Sequence, residues 1–239
     1  LKSLNPDLIV IVAFRILPRE VFTIPKFGAF NLHASLLPKY RGAAPINWAI
    51  IKGEKETGVT TFFLQEKVDT GNVLLQARLP IKDDETAGEL HDRLADVGAE
   101  IVLHTVRLIE MGKAITKQQD NLLATPAPKI FKEDCKIEWS QSANQVHNFI
   151  RGLSPVPGAF TNHNGKLIRI YRTKIIESLS KEQAGSIVEA SKRLLVTTGE
   201  GVLEILELQQ EGKKKLNSEE FLRGCHFDAG GGGHVILGK

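Results

Sequence analysis

Asn31 and His33 stand two apart in the segment GAFNLH, and Asp69 follows in VDTG. A carboxamide, an imidazole and a carboxylate are residue types that can donate hydrogen bonds, move protons and hold charge in a polar reaction site. Alternation along a strand sends Asn31 and His33 to one face, and Phe30 and Leu32 to the other. A strand buried on both sides would not carry Asn and His in that way. The pattern suits a strand end that opens into a cleft, where open α/β sheets bind ligands. A plainer alternative stays open at this point. Asp69 in VDTG also reads as an ordinary turn aspartate, and Asn-x-His as a structural pair.

The elements that would position these residues form an alternating α/β pattern. Residues 8–14 (LIVIVAF) are a continuous apolar run, suited to a parallel strand covered on both faces. Residues 28–33 form a second short strand. Residues 42–51 read as a helix with Pro45 near its start, where a missing N–H costs least. Residues 58–64 and 73–81 read as two strands flanking the turn that holds Asp69. Residues 86–109 follow as a long amphipathic helix. Its apolar stripe is Leu90, Leu94, Val97, Ile101 and Leu108, and the stripe is core packing. His91 and His104 lie on this helix without a chemical assignment.

Residues 116–133 lack periodicity and carry Pro126 and Pro128, which predicts a linker between domains at 1–115 and 134–239. Beyond it, residues 140–151 read as a Ser-capped helix. Four short β-like runs follow at 166–176, 186–190, 193–198 and 202–208, with a closing helix at 216–224. Short strands with tight turns predict a small barrel. The tail at 230–233 is low-complexity and is set aside from the fold reasoning.

The chain has 239 residues, 42% of them hydrophobic and 25% charged, enough apolar surface to bury the core of one or two domains and to exclude disorder as the main state. No apolar run approaches the roughly 18–20 residues that span a membrane, and no signal-peptide pattern opens the chain. The first residues run straight into a helix tail and a buried strand, so the front of a larger domain is expected to be missing. Cys135 and Cys225 form no CxxC pair. They read as free thiols of a cytosolic protein, with no metal site. Residues 1–128 hold 15 basic and 15 acidic side chains, and residues 129–239 hold 16 and 13. The excess suggests an anionic partner for the second half, although a solvated face would look the same.

Three segments together carry a family resemblance. They are Asn31-Leu32-His33-Ala34-Ser35-Leu36-Leu37-Pro38, then Tyr40-Arg41-Gly42-Ala43-Ala44-Pro45, then Thr57-Gly58-Val59-Thr60 leading to Asp69-Thr70-Gly71. Jointly they resemble the 10-formyltetrahydrofolate-dependent formyltransferases. The resemblance continues through Pro128-Lys129-Ile130, Ile137-Glu138-Trp139-Ser140 and the Arg151-Gly152-Leu153-Ser154-Pro155 segment, up to about Leu222. It implies a partial Rossmann-like α/β domain followed by a small OB-like β-barrel. It implies Asn31, His33 and Asp69 as a catalytic trio, and Ser35, Leu36, Leu37 and Pro38 as lining the tetrahydrofolate site. The donor is 10-formyltetrahydrofolate and no metal is needed.

In that family the formyl group passes to an amine through an oxyanion-bearing tetrahedral species. Asn31 would donate to the oxygen, His33 would carry the proton, and Asp69 would orient the ring and favour its charged form. The attacking amine is the substrate's own, so neither cysteine is required. The implied acceptor is initiator methionyl-tRNA, gripped by the barrel. Lys166, Arg169, Arg172, Lys174, Lys192, Arg193 and the Lys213-Lys214-Lys215 run are the candidate contacts. A monomer in the cytoplasm, preparing the initiator tRNA for translation, is expected. A sugar-nucleotide N-formyltransferase is the nearest alternative. A non-catalytic RNA-binding relative and a folate hydrolase are more distant ones. Ala13-Phe14-Arg15-Ile16-Leu17-Pro18 departs from the family in lacking a glycine that many relatives carry in the loop framing the folate.

Overall fold

A computed structural model describes residues 1–13, 15–178, 180–224 and 235–238. Phe14, Cys225 and the glycine-rich stretch at 230–233 lie outside the described residues. The chain divides into two units. One holds Leu1–Ala49, Glu54–Lys82 and Glu89–Lys129; the other holds Ile50–Gly53, Asp83–Gly88 and Ile130–Lys239.

In chain order the first elements are β1 (Ile9–Val12), α1 (Arg19–Phe22), β2 (Ala29–His33), β3 (Arg41–Gly42), α2 (Pro45–Ile51), β4 (Glu56–Phe63), β5 (Val73–Pro80), α3 (Ala87–Glu110) and β6 (Pro126–Ala127). The sheet of the first unit runs β1-β2-β4-β5, parallel at β1–β2 and antiparallel elsewhere. Strand β2 lies inside it, with Asn31 opposite Phe62 and His33 opposite Thr60. Helix α3 covers one face. Gly98 sits so close to the sheet that a Cβ there would come within 2.8 Å of Leu32 Cδ2. On the same side the Thr61 and Thr105 hydroxyls meet at 2.8 Å. The two-residue period then places Asn31, His33, Thr60 and Phe62 on the opposite face, away from the helix. The stripe predicted for α3 is buried at Leu90, Leu94 and Ile101, continued by Thr105 and Ile109; Val97 and Leu108 are half-buried flanks.

The segment expected to be a linker is fastened to the first unit as far as Lys129. Lys117 exchanges two backbone hydrogen bonds with Val73, both 2.8 Å. A short 3₁₀ turn, Asn121–Leu123, is capped by Asp120, whose side chain accepts from the Leu122 N–H at 2.9 Å. Strand β6 pairs in parallel with β3, Arg41 opposite Pro126 and Gly42 opposite Ala127.

The second unit adds α4 (Ala143–Leu153), β7 (Ala159–His163), β8 (Lys166–Ile176), β9 (Ile187–Ala190), β10 (Leu194–Thr197), β11 (Val202–Gln210), β12 (Leu216–Asn217) and α5 (Ser218–Gly224). Ser142 caps α4 reciprocally with Gln145, satisfying donors the first turn leaves open. Val146, Ile150 and Leu153 on its inner side pack against Ile170, Leu203 and Leu208 of the sheet. That sheet runs β7-β8-β11-β10-β9 with β12 on β11, all antiparallel.

Strands β7 and β9 are not paired directly with each other among the described residues. The chain end lies along both edges. Ile187 N–H donates to Val235 O, Leu237 N–H to Gly185 O and Gly238 N–H to Asn162 O, each at 2.8 Å. Val235 and Leu237 are buried in the core, so the end of the tail belongs to the fold. Period-based reading missed it because a four-residue strip has no period to show.

Candidate active site

His33 ends β2 and is buried, its ring edge-on to Phe62 at a centroid distance of 6.5 Å. Its Nε2 lies 2.8 Å from the Tyr40 carbonyl oxygen. A carbonyl only accepts, so Nε2 carries the hydrogen and donates it. Nδ1 is left as the nitrogen at which a second proton can come and go, and it faces Asp69 Oδ2 at 3.7 Å. That spacing exceeds a hydrogen bond and suits an ion pair once the ring is protonated. The same carboxylate oxygen accepts the Gly42 N–H at 2.9 Å. Residues 40–42 therefore hold both partners: a carbonyl for the imidazole and an amide for the carboxylate.

The Asp69 turn is tightly specified. Asp69 has φ +54°, an uncommon conformation for a residue with a side chain. Two residues on, a Cβ on Gly71 would lie 1.6 Å from Phe63 O, so only glycine lets the turn close against β4. Gly42 is constrained likewise, with φ +128° and Ala127 O where a Cβ would stand 2.5 Å away. Tyr40 adopts φ +60° and donates its hydroxyl to Glu54 Oε1 at 2.8 Å. Burial, reinforced by Glu54, pushes that phenol well above its ordinary pKa, so it stays a proton donor.

Asn31 lies on the His33 side of β2 and is half-buried. No hydrogen bond holds its carboxamide among the described residues.

Of the four residues expected to line the folate site, Ser35 is fully buried. Its hydroxyl donates to Lys39 O, and its carbonyl accepts from Thr60 Oγ1, each at 2.6 Å. Thr60 Oγ1 also accepts from Leu37 N–H at 3.2 Å and from Gln76 Nε2 at 2.9 Å. Ser35, Thr60 and Gln76 thus shape the turn from inside. Leu36, Leu37 and Pro38 line an open pocket together with Tyr40, Gln76 and the charged Lys39, Glu54, Glu56 and Arg78; Asn31, His33 and Asp69 do not line it. Among the described residues, no cluster of three or more His, Cys, Asp or Glu could hold a metal ion. Cys135 is a buried thiol donating to Phe131 O at 3.2 Å, and burial raises its pKa, which suits an inert packing role.

The formyl transferase profile matches residues 1–106, and the profile of the formyl transferase C-terminal domain matches residues 129–226. The chain belongs to the formyl transferase family. Among its relatives, the methionyl-tRNA formyltransferase of Caldanaerobacter subterraneus subsp. tengcongensis is 46% identical over 96% of this chain and 75% of its own length. That of Porphyromonas gingivalis is 49% identical over 94% of this chain and 73% of its own. This formyl transferase thus spans about three quarters of the length of those relatives. The structure of HypX from Aquifex aeolicus, in complex with tetrahydrofolic acid, superimposes with a TM-score of 0.71 at 23% identity, over 91% of this chain and 38% of that one, a likeness of fold.

Sequence reasoning did not assign a part to Tyr40, Arg41 or Gly42, although they lie in the motif that carries the resemblance. It missed Gln119, whose partners are the Asp69 and Gly71 carbonyls and the Arg41 guanidinium, all far away in the chain. The glycine of the Asp-Thr-Gly turn was the legible sign that this turn had to close tightly.

Proposed function

We propose that this formyl transferase passes the formyl group of 10-formyltetrahydrofolate to the free amino group of methionyl-tRNA, for translation initiation. The observation that carries the reading is the meeting of His33 Nδ1 and Asp69 Oδ2 in a chain whose relatives, at 46–49% identity, are methionyl-tRNA formyltransferases. The donor supplies a formyl carbon open to attack by an amine. Asn31, unbonded among the described residues, donates its amide N–H to the oxygen that gains charge as the amine adds. His33 takes the amine proton at Nδ1 and returns it to the departing nitrogen, while Asp69 balances the charge the ring then bears. Leu36, Leu37 and Pro38, in the turn that follows His33, hold the folate.

The second unit grips the tRNA. Arg193 is occupied by Glu204, and Lys215 and Arg172 by Glu207. Lys166, Arg169, Lys213 and Lys214 have no carboxylate partner among the described residues, so they are the cations we assign to phosphate. The chain acts as a monomer in the cytoplasm, where initiator tRNA is used. No helix among the described residues is long and apolar enough to cross a membrane.

Formylation of methionyl-tRNA and of an amino-sugar nucleotide, each with 10-formyltetrahydrofolate, is the test. Transfer to the tRNA alone is expected. His33→Ala and Asp69→Ala should each lower kcat by about 10²–10⁴-fold with the circular dichroism spectrum intact. Near-normal turnover in both variants would overturn the assignment. Leu36→Ala should raise KM for the folate and leave kcat in place. A KM that responds to Arg15→Ala and not to Leu36→Ala would move the folate to the loop at 13–18.

A further inference from the structure

Gln119 is buried, at 7% exposure, and uses its whole carboxamide. Nε2 donates to Asp69 O at 2.9 Å and to Gly71 O at 2.8 Å. Oε1 accepts from Arg41 Nε at 3.2 Å and Nη2 at 2.7 Å. Arg41 Nη2 is fixed a second time by Asn121 Oδ1 at 2.9 Å. The two Nε2 bonds clamp the carbonyls on either side of Thr70, next to the left-handed backbone of Asp69. The ring of interactions then closes on itself. Asp69 Oδ2 is held by Gly42 N–H, Gly42 follows Arg41, Arg41 grips Gln119, and Gln119 grips the Asp69 backbone.

We propose that Gln119 is a positioning residue for formyl transfer: it holds the turn that aims the Asp69 carboxylate at His33, and Arg41 holds Gln119 in place. The proposal rests on the reading of His33 and Asp69 given above. The physical case is the shape of the turn. A backbone at φ +54° does not persist unless its surroundings over-determine it. Asp69 faces its imidazole at 3.7 Å, so a small rotation of the turn carries the carboxylate out of range or brings it into a direct hydrogen bond. An amide serves here because both carbonyls need a donor while the guanidinium needs an acceptor, and only an amide offers both on one planar group. A carboxylate would repel the two carbonyls, and an aliphatic side chain would leave both carbonyls without this donor.

Gln119→Glu is nearly isosteric and retains the Arg41 interaction, so it separates positioning from folding; Gln119→Leu removes both. In either variant kcat for methionyl-tRNA should fall by about 10²-fold, the scale of a misplacement near 1 Å, with KM for folate and tRNA within about twofold. The loss in Gln119→Glu should shrink as pH falls, because the protonated acid regains one donor. In an Asp69→Ala background, Gln119→Glu should lower kcat no further, since the group it positions is gone. Three results would each overturn the proposal: unchanged kcat in the Glu variant, a pH profile parallel to that of the unaltered protein, or a full extra loss on top of Asp69→Ala. If Asp69→Ala itself leaves turnover intact, both this inference and the reading beneath it fall. If Asp69→Ala is inactive and Gln119→Glu is not, this inference alone falls.

Discussion

The interior face of β2 separates what Asn31 and His33 can do. His33 is fixed through Nε2 by the Tyr40 carbonyl, with Nδ1 turned toward Asp69 at 3.7 Å, whereas the Asn31 amide is held by nothing among the described residues. An unheld donor next to a fixed imidazole suits the group that meets a charge only as the reaction proceeds. Asn31→Ala is therefore expected to reduce kcat by about 10²–10³-fold, equivalent to roughly 2.7–4 kcal/mol, with KM for either substrate little altered. Steady-state kinetics with methionyl-tRNA checks this; a KM effect alone would make Asn31 a binding group. The Asn-x-His alternation was legible because it needs only the two-residue period of a strand. Gln119 was not, since the carbonyls it binds lie 50 and 48 residues away and any residue type could supply them.

Helix α4 shows how an element fixes the ionisation of its residues. His147 is buried on it, with Nδ1 at 2.9 Å from Thr173 Oγ1 and Nε2 at 3.4 Å from Asp83 O. The carbonyl requires a hydrogen on Nε2, and the threonine hydroxyl can donate to a bare Nδ1, so the contacts suit a neutral ring. Burial, with the Arg151 guanidinium adding to it, lowers the pKa against the opposing pull of the Asp83 carbonyl and Asp84. The unfolded ring titrates near about 6.5. Above that pH both states are neutral and the stability is fully present. As pH falls below about 6.5 the unfolded chain takes up a proton the folded one refuses, and stability is lost down to the depressed folded value. Urea titrations from pH 7.5 to 5 should show this decline, and His147→Gln should flatten it. An unchanged slope in the variant would assign the decline to other groups. The capped start of α4 and the long α3 were readable from periodicity and cap chemistry. The pairing of β3 with β6 was not, because two-residue strands carry no pattern.

Across the whole molecule, charge is balanced in residues 1–128 and positive in residues 129–239, and the structure sorts the excess further. Glu204 and Glu207 neutralise Arg193 and Lys215, which leaves Lys213 and Lys214 for an anionic partner. Replacing both with Ala should weaken tRNA binding and reduce the slope of log K against log salt by about one for each phosphate no longer neutralised. Filter binding from 50 to 250 mM salt reads that slope. Equal slopes would return these lysines to plain surface. The chain's local regularities were enough to establish the longer strands and helices, the family motifs and the shared face of Asn31 and His33 on β2, because periods and turn residues act over a few positions. Three things depended on interactions between distant segments: the amide clamp on the Asp69 turn, the Thr60 hydroxyl bonded to the Ser35 carbonyl, and the chain end lying along two strand edges. Such interactions form only when hydrogen-bonding groups far apart in sequence are buried together and must be satisfied, a condition no local pattern records.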